Sequence, residues 1–277
     1  MKISADTSHQ PVPPDDFRPS LVIPFYNHAG SIAQVVSELR PTALEMGLRC
    51  YLVNDGSDGS CDAVLNQLAT NEAQWLSVIS YQPNQGKGMA VMTGMDAAAR
   101  DGYTHAAQID ADGQHRVADV RTLLQLAQQN PRAMITGYAV YDASVPKARL
   151  YGRYVTHGWV WINTISMQIR DSMCGLRVYP LASLLPVWQR ASRAWLMRIG
   201  KRMSFDIEIL VHLYWQGVRI INVPVPVTYP IDGVSHFKVW RDNLQISAAH
   251  TRMFVGMLPR SPWLLMRTLL RGSDGGV

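Results

Sequence analysis

The first half of the chain alternates short apolar runs with segments whose apolar residues recur every three or four positions. A short apolar run predicts a buried β-strand, and the helical spacing predicts an amphipathic helix. Strands that alternate with such helices form βαβ units, which indicates an α/β fold with a mostly parallel sheet flanked by helices. The expected strands are residues 21–24, 49–53, 76–81, 105–109 and 133–136, and the clearest helices begin near residue 31 and cover residues 89–100 and 117–129.

The second half is less regular. Helical spacing covers residues 149–170, 205–215, 240–258 and 262–270, and residues 175–179 are predicted to form a short strand. Residues 218–223 and 225–229 are predicted to be strand segments at an edge or bend, because Pro224 and Pro226 interrupt them.

A polar cluster follows each of the first four predicted strands, at residues 24–27, 54–58, 84–88 and 110–115. The carboxyl ends of parallel strands lie along one edge of a sheet, where open α/β sheets bind their ligands. The four clusters should therefore meet in a single crevice.

Asp110 and Asp112 end the fourth strand, directly before Gly113. Carboxylate oxygens in this place suit Mg²⁺ or Mn²⁺ bound to the phosphates of a substrate. Asp and Gly in this spacing are equally typical of a solvated turn. The other three clusters on the same edge favour the metal–diphosphate site.

What the sequence lacks argues against several classes of protein. Neither GxGxxG nor a P-loop follows the first strand, which disfavours a dinucleotide-dependent dehydrogenase and a P-loop NTPase. No signal-peptide pattern and no apolar window of about twenty residues is present. Cys50, Cys61 and Cys174 form no CxxC pair and indicate reduced thiols in the cytoplasm.

Charge is distributed unevenly along the chain. Residues 1–137 contain 9 Lys and Arg against 14 Asp and Glu, whereas residues 138–277 contain 17 against 7. A basic, Trp-rich half predicts an anionic partner. A phospholipid surface or a phosphorylated acceptor fits the apolar residues there better than nucleic acid does.

Four segments resemble glycosyltransferase family 2 in their order and spacing, namely VIPFYNHAGSI, VNDGSDGS, NQGKGMAVMTGMDAA and QIDADGQH. A fifth, IRDSMCGLRVYP, is similar to the branch that includes polyprenyl- and dolichyl-phosphate sugar synthases, and the second half more loosely resembles bacterial lipid-pathway glycosyltransferases. The resemblance covers about residues 19–180. It implies a GT-A fold and a UDP- or GDP-linked sugar donor.

The resemblance implies that Pro24, Tyr26 and Asp55 line the base and ribose of the nucleotide. The alternative for Asp55 is a cap of the turn that follows it. Lys87, between two glycines before a helix, would contact the donor phosphates, because glycine lets the backbone approach and a helix amino terminus attracts anions. Its alternative is an ordinary solvated lysine.

Asp110 and Asp112 form the DxD signature of that family. Asp112 is expected to bind the metal directly and to act in catalysis, and Asp110 to hold the ribose or a metal-bound water. His115 would contact the metal or the donor phosphate, or else be structural. The implied cofactor is Mg²⁺ or Mn²⁺, which with Lys87 would neutralise the leaving diphosphate.

The acceptor side is assigned to Asp171 and Arg177. For a hydroxyl acceptor Asp171 would be the general base. For a lipid phosphate, which needs no strong base, Asp171 would orient the acceptor and Arg177 would bind its phosphate. The alternative is an internal Asp171–Arg177 ion pair, with Cys174 as a packing residue. Further candidate contacts are Arg149, Arg153, Lys201, Arg202, Asp206 and Glu208.

These expectations combine into one hypothesis. Residues 1–18 would be a flexible leader, 19–237 a catalytic domain with a nucleotide-sugar half (19–137) and an acceptor half (138–237), and 238–277 amphipathic helices in peripheral contact with the cytoplasmic membrane. The enzyme would be an inverting, metal-dependent glycosyltransferase with a lipid-linked acceptor. A soluble polysaccharide-building enzyme and a non-catalytic binding module for a nucleotide sugar or phospholipid are the alternatives.

Overall fold

One seven-stranded sheet runs through the described part of the chain, which in this computed structural model comprises residues 16–141, 147–195, 197–227 and 239–272. The strands are β1 Pro19–Phe25, β2 Arg49–Asp55, β3 Leu76–Tyr81, β4 His105–Gln108, β5 Met134–Tyr141, β6 Arg177–Pro180 and β7 Ile220–Val227. The helices are α1 Ala29–Glu45, α2 Asp62–Asn71, α3 Lys87–Arg100, α4 Val117–Gln129, α5 Lys147–Thr164, α6 Leu181–Arg193, α7 Phe205–Trp215, α8 Val239–Met257 and α9 Ser261–Gly272. Most of the predicted leader, residues 1–15, lies outside the described residues.

The strand order is β3-β2-β1-β4-β6-β5-β7. Neighbouring strands are parallel except for β6, which runs antiparallel to both β4 and β5. The predicted α/β fold with a mostly parallel sheet is therefore confirmed. The predicted border at residues 137/138 falls inside β5, and β6 from the second half lies between β4 and β5, so the two halves share one sheet. The border at 237/238 touches residues that are not described.

Helices cover both faces of the sheet because successive side chains of a strand point to opposite faces. Leu21 and Ile23 belong to a buried cluster with α1, α2 and α4, whereas Val22 belongs to a second cluster with α3, α6, α7 and α8. The sheet and the helices on its two faces form three layers.

Three elements differ from the sequence-based expectation. Helix α5 ends at Thr164, six residues early, because Ile165 adopts a left-handed backbone with φ 50°. Strand β7 is continuous through Pro224 and Pro226: it lies at the sheet edge, where a missing N–H is tolerated, and both prolines are exposed. Helix α6 was not predicted, although its buried apolar positions follow helical spacing.

Helix α9 buries Arg267 together with Leu264 and exposes most of its other apolar residues. The Arg267 guanidinium donates to the backbone carbonyls of Tyr214, Gly217 and Val218 at the end of α7. The outward face exposes four large apolar side chains, Leu265, Met266, Leu269 and Leu270. The buried arginine and the exposed apolar face distinguish α9 from an ordinary amphipathic surface helix.

Candidate active site

Hydrogen bonds tie together the loops that follow the first three strands. The Asn27 amide donates to Ser57 Oγ at 3.0 Å, and the Asp58 amide donates back to Asn27 Oδ1 at 3.0 Å. Gln82 Nε2 donates to the Ser57 carbonyl at 2.9 Å. The predicted meeting of polar clusters along one edge is therefore present, and the loops fix one another.

Asp55 anchors the loop between β3 and α3. Its carboxylate is buried and accepts hydrogen bonds from Asn84 Nδ2 and from the amides of Gln85 and Gly86, all at 2.8–2.9 Å. The turn cap suggested for Asp55 is made by Asn54 instead, whose Oδ1 accepts from the Ser57 amide. Contact of Asp55 with a nucleotide base stays a prediction.

Pro24 and Tyr26 differ in their access to this edge. Pro24 is buried inside β1, opposite Val53 of β2, whereas Tyr26 follows the strand and is partly exposed. Tyr26 is thus the member of this pair with side-chain surface toward a ligand.

The two glycines around Lys87 serve packing within the protein. A Cβ atom at Gly86, whose φ is 104°, would lie 2.5 Å from Arg202 Cγ, and one at Gly88 would lie 2.6 Å from the Phe205 ring. Contacts that close do not occur, so glycine is required for residues 201–205 to reach the start of α3. The expectation that these glycines admit a substrate is corrected accordingly.

Lys87 lies between two carboxylates. Its Nζ donates to Asp110 Oδ2 at 2.9 Å and to Asp206 Oδ2 at 2.7 Å. Burial alone would lower the pKa of Lys87, but the two carboxylates raise it above its ordinary value. Lys87 is therefore a firmly charged, partly buried ammonium group and not a solvated lysine.

Asp110 and Asp112 have opposite pKa shifts. Burial raises the pKa of Asp110, but the Lys87 ammonium outweighs burial, and the net effect is a lowered pKa. Burial and the nearby Asp110 carboxylate raise the pKa of Asp112. Asp112 Oδ1 also accepts from the Gln114 amide at 3.1 Å across a turn in which Gly113 has φ 73°, so the turn interpretation is confirmed as well.

The two carboxylates fit a divalent cation that also binds a diphosphate. Asp110 Oδ1 is buried and accepts no hydrogen bond from the described residues, although Lys87 Nζ lies 2.8 Å away. A cation would relieve the repulsion that raises the pKa of Asp112. No three His, Cys, Asp or Glu side chains of the described residues are grouped as a metal site by themselves. Phosphate and water oxygens would have to complete the coordination, as is usual for Mg²⁺.

His115, a predicted metal ligand, is not brought into such a group. Its Nδ1 is buried and has no hydrogen-bond partner among the described residues. Metal ligation by His115 therefore stays a prediction without structural support.

Asp171 is an internal anchor in this structure. Arg153 Nη2 donates to both of its carboxylate oxygens at 2.9 and 2.7 Å, and the amides of Ala139, Met173 and Cys174 donate to it as well. Burial raises the pKa of Asp171, but Arg153 and His157 lower it below its ordinary value. A buried carboxylate held by an arginine is a weak proton acceptor, and the role of Asp171 as general base stays a prediction.

Arg177 is fully buried, at 0% exposure. Its guanidinium donates to the carbonyls of Asp206 at 2.6 Å and Ser172 at 2.7 Å, and contacts Tyr179 Oη at 3.4 Å. The expected phosphate contact of Arg177 is therefore corrected to a structural role. The alternative Asp171–Arg177 ion pair is wrong too, because Asp171 pairs with Arg153.

The residues that sequence reasoning missed form a buried network around Arg177. Gln108 lies opposite Arg177 in the β4–β6 pair and donates from Nε2 to Asp206 Oδ1 at 3.0 Å. Tyr179 donates to Gln108 Oε1 at 3.2 Å. The available signal was a polar side chain within a four-residue strand, at Gln108 in β4 and Arg177 in β6.

The remaining candidates have mixed positions. Arg202 donates to Asn84 Oδ1 at 3.0 Å, and buried Glu208 pairs with Arg252 of α8 at 2.7 Å. Cys174 is buried, and burial raises the pKa of its thiol to about 12, in agreement with a packing role. Lys201 is exposed, and the Arg149 side chain lies outside the described residues.

A sequence model described as "Glycosyl transferase family 2" matches residues 20–184, more than half of the chain. The chain belongs to glycosyl transferase family 2. The resemblance inferred from the sequence motifs is confirmed, and the protein is a glycosyltransferase.

Named relatives of this family 2 glycosyltransferase act on lipid phosphates. The chain is 25% identical to the polyprenol monophosphomannose synthase of Mycolicibacterium smegmatis, over 79% of this chain and 80% of that protein. It is also 25% identical to the UDP-N-acetylglucosamine–dolichyl-phosphate N-acetylglucosaminyltransferase of Methanococcus voltae, over 76% of this chain and 85% of the relative.

A solved structure supports the fold of the family 2 chain. Glucosyl-3-phosphoglycerate synthase from Mycobacterium tuberculosis, crystallised with Mn²⁺, uridine diphosphate and phosphoglyceric acid, superimposes with a TM-score of 0.62 at 14% identity. The match covers 87% of this chain and 80% of that one. At this identity the likeness concerns the fold.

Hydropathy gives one further finding. Within residues 16–141, 147–195, 197–227 and 239–272, every helix is too short or too polar to cross a bilayer.

Proposed function

We propose that this glycosyltransferase is metal-dependent and inverting, and that it moves a sugar from a UDP- or GDP-linked donor to a lipid phosphate at the cytoplasmic face of the membrane. The observation that carries the proposal is the Asp112, Asp110 and Lys87 group at the open edge of a family 2 sheet. The relatives named for polyprenol and dolichyl phosphates support the acceptor class.

The donor side requires stabilisation of the leaving diphosphate. A divalent cation bound there would neutralise part of the charge that develops on the diphosphate. Asp112 would hold that cation with Asp110 beside it, and the Lys87 ammonium would contribute a further positive charge. Tyr26 and the loop anchored by Asp55 would border the nucleotide.

The contacts of Asp171 support a phosphate acceptor. A hydroxyl acceptor needs a general base, whereas a phosphate monoester is already an anion. Because Asp171 is ion-paired with Arg153 and has a lowered pKa, a phosphate acceptor fits this site better.

Exposed apolar helix faces support contact with a lipid surface. On α5, Tyr151, Val155, Trp159 and Ile162 share one exposed face, and the outward face of α9 is apolar as well. Apolar faces in a basic half of the chain suit an anionic bilayer. We place the membrane contact on these faces.

The proposal is tested with purified protein, Mn²⁺, UDP- and GDP-sugars, and phosphatidylglycerol vesicles containing either a polyprenyl phosphate or the matching free polyprenol. We expect the sugar to be transferred to the polyprenyl phosphate and not to the free polyprenol. Asp112→Asn should lower the rate of this transfer by about a hundredfold or more. Equal transfer to the free polyprenol would contradict the phosphate acceptor. Transfer to a soluble saccharide alone would favour a polysaccharide-building enzyme, and binding of the donor without turnover would favour a binding module.

A further inference from the structure

Asp206 is a buried carboxylate in contact with the proposed donor-site lysine. It lies at the second residue of α7, and 119 residues separate it from Lys87 in sequence. Its Oδ2 accepts from Lys87 Nζ at 2.7 Å, and its Oδ1 accepts from Gln108 Nε2 at 3.0 Å. Both carboxylate oxygens therefore have fixed partners on different elements.

The position of Asp206 is fixed from behind by the interior of the protein. The Arg177 guanidinium donates to the Asp206 carbonyl at 2.6 Å and lies 3.8 Å from its Oδ1. The Asp206 side chain is only 8% exposed. Phe205, its neighbour, packs against Gly88 beside Lys87, so α7 and α3 are in direct contact at this point.

The charged side chains around Lys87 show what a bound cation would change. The titratable side chains grouped here include two cations, Lys87 and Arg177, and three carboxylates, those of Asp110, Asp112 and Asp206. A divalent cation at Asp110 and Asp112 would repel the Lys87 ammonium, which now shares the Asp110 carboxylate at 2.8–2.9 Å. Lys87 then needs another carboxylate if it is to stay beside the diphosphate.

We propose that Asp206 is a positioning residue that takes over the Lys87 ammonium when a divalent cation occupies the Asp110 carboxylate. The proposal rests on the proposed function, since it assumes a cation site at Asp110 and Asp112. Asp206 itself does not touch the cation. It keeps Lys87 charged and in place, so that the lysine and the cation can occupy one pocket together.

The test is a double-mutant cycle on Mn²⁺ affinity, measured by electron paramagnetic resonance of free Mn²⁺ with the protein alone and with UDP or GDP added. In Asp206→Asn, Lys87 has only Asp110 as a carboxylate partner, so Mn²⁺ must compete with it. We expect about tenfold weaker Mn²⁺ binding in that variant. In Lys87→Met the competition is absent, and adding Asp206→Asn should then change the affinity by less than about twofold.

Asp119→Asn is the matched control, because Asp119 is another buried aspartate paired with an arginine, on α4 and away from Lys87. It should bind Mn²⁺ as the wild type does. If Asp206→Asn fails to fold, the double variant is expected to be better tolerated, because both members of the buried pair are removed. A loss of Mn²⁺ affinity in the double variant relative to Lys87→Met would then still overturn the proposal.

Three outcomes would overturn the proposal. Unchanged Mn²⁺ affinity in Asp206→Asn excludes the exchange of Lys87 between carboxylates. If Asp206→Asn loses the same Mn²⁺ affinity with Lys87 present as with Lys87→Met, Asp206 is a direct ligand or a purely structural residue. Absence of Mn²⁺ binding by the wild type removes the cation on which the exchange depends. Because this readout needs no acceptor, it can succeed or fail independently of the sugar-transfer assay.

Discussion

At the scale of single residues, Gly175 leaves no room for a side chain next to Asp110. A Cβ atom at Gly175 would lie 2.0 Å from Asp110 Oδ2. Gly175 therefore brings the segment between Asp171 and Arg177 directly against the carboxylate that Lys87 holds.

Gly175→Ala should disturb both stability and the cation site, because the new methyl group must displace the Asp110 carboxylate or the backbone. We expect a loss of about 1–3 kcal/mol in the free energy of unfolding, measured with urea, together with weaker Mn²⁺ binding. Gly152→Ala on α5 is the matched control, since a Cβ there meets nothing within 4 Å. Indistinguishable stability and Mn²⁺ affinity of Gly175→Ala and Gly152→Ala would contradict this account.

Residue positions along the sheet edge could be predicted from the sequence, but their partners could not. Strand ends and glycine turns are local signals, and they correctly located Asp55, Lys87, Asp110 and Asp112. The partner of Lys87 is an aspartate on α7, and its identity depends on how α7 packs against α3. Long-range packing also decides that Asp171 pairs with Arg153 and not with Arg177.

At the scale of elements, α9 is attached to the rest of the chain through buried Leu264, through a hydrogen bond from Thr268 to the Ile165 carbonyl, and through Arg267. The Arg267 guanidinium meets carbonyls at and just beyond the carboxyl end of α7, where a cation is favoured by the helix dipole. Its Cζ also lies 4.3 Å from the Tyr214 ring centroid and 5.2 Å from that of Trp263.

Arg267→Met should cost about 2–4 kcal/mol of unfolding free energy, because it removes several charge-assisted hydrogen bonds from a buried guanidinium to backbone carbonyls. Arg193→Met, at an exposed position on α6, should change the stability by less than about 0.5 kcal/mol. Chemical denaturation followed by tryptophan fluorescence measures both. Equal midpoints for the two variants would show that α9 is held by other contacts.

Elements whose apolar residues follow one regular spacing could be predicted from the sequence, whereas two elements that contain prolines were missed or misjudged. Helices α4 and α7 have the expected bounds. Helix α6 contains Pro186 and was missed, and the two prolines of β7 suggested an interruption where a solvent-facing edge accommodates them. The burial of Arg267 in α9 depends on the carbonyls at the end of α7 and has no signature in the segment itself.

At the scale of the whole molecule, the exposed apolar faces of α5 and α9 both come from the basic half of the chain. Leu44 of α1, from the acidic half, offers an exposed leucine on a different element. The two locations allow the proposed membrane contact to be separated from general surface hydrophobicity.

The double variant Leu265→Asp and Leu269→Asp should bind phosphatidylglycerol vesicles at least about tenfold more weakly than the wild type, because each leucine loses apolar burial in lipid. Leu44→Asp should float with vesicles as the wild type does. Flotation through a density gradient measures the bound fraction, and Mn²⁺ affinity in detergent shows whether the variants keep their site. Equal flotation of all three proteins would contradict a membrane contact through α9.

The place of β6 in the sheet has a consequence for synthesis on the ribosome. Strands β3, β2, β1 and β4 can pair as soon as they emerge, but β5 has neither of its neighbours until β6 and β7 have been translated. During that interval β4 and β5 both present unpaired backbone edges, which invite association with other chains. Asp206, a carboxylate partner of Lys87, is made after β6 and before β7, so the nascent chain completes the side chains around Lys87 only after the edges of β4 and β5 have been exposed.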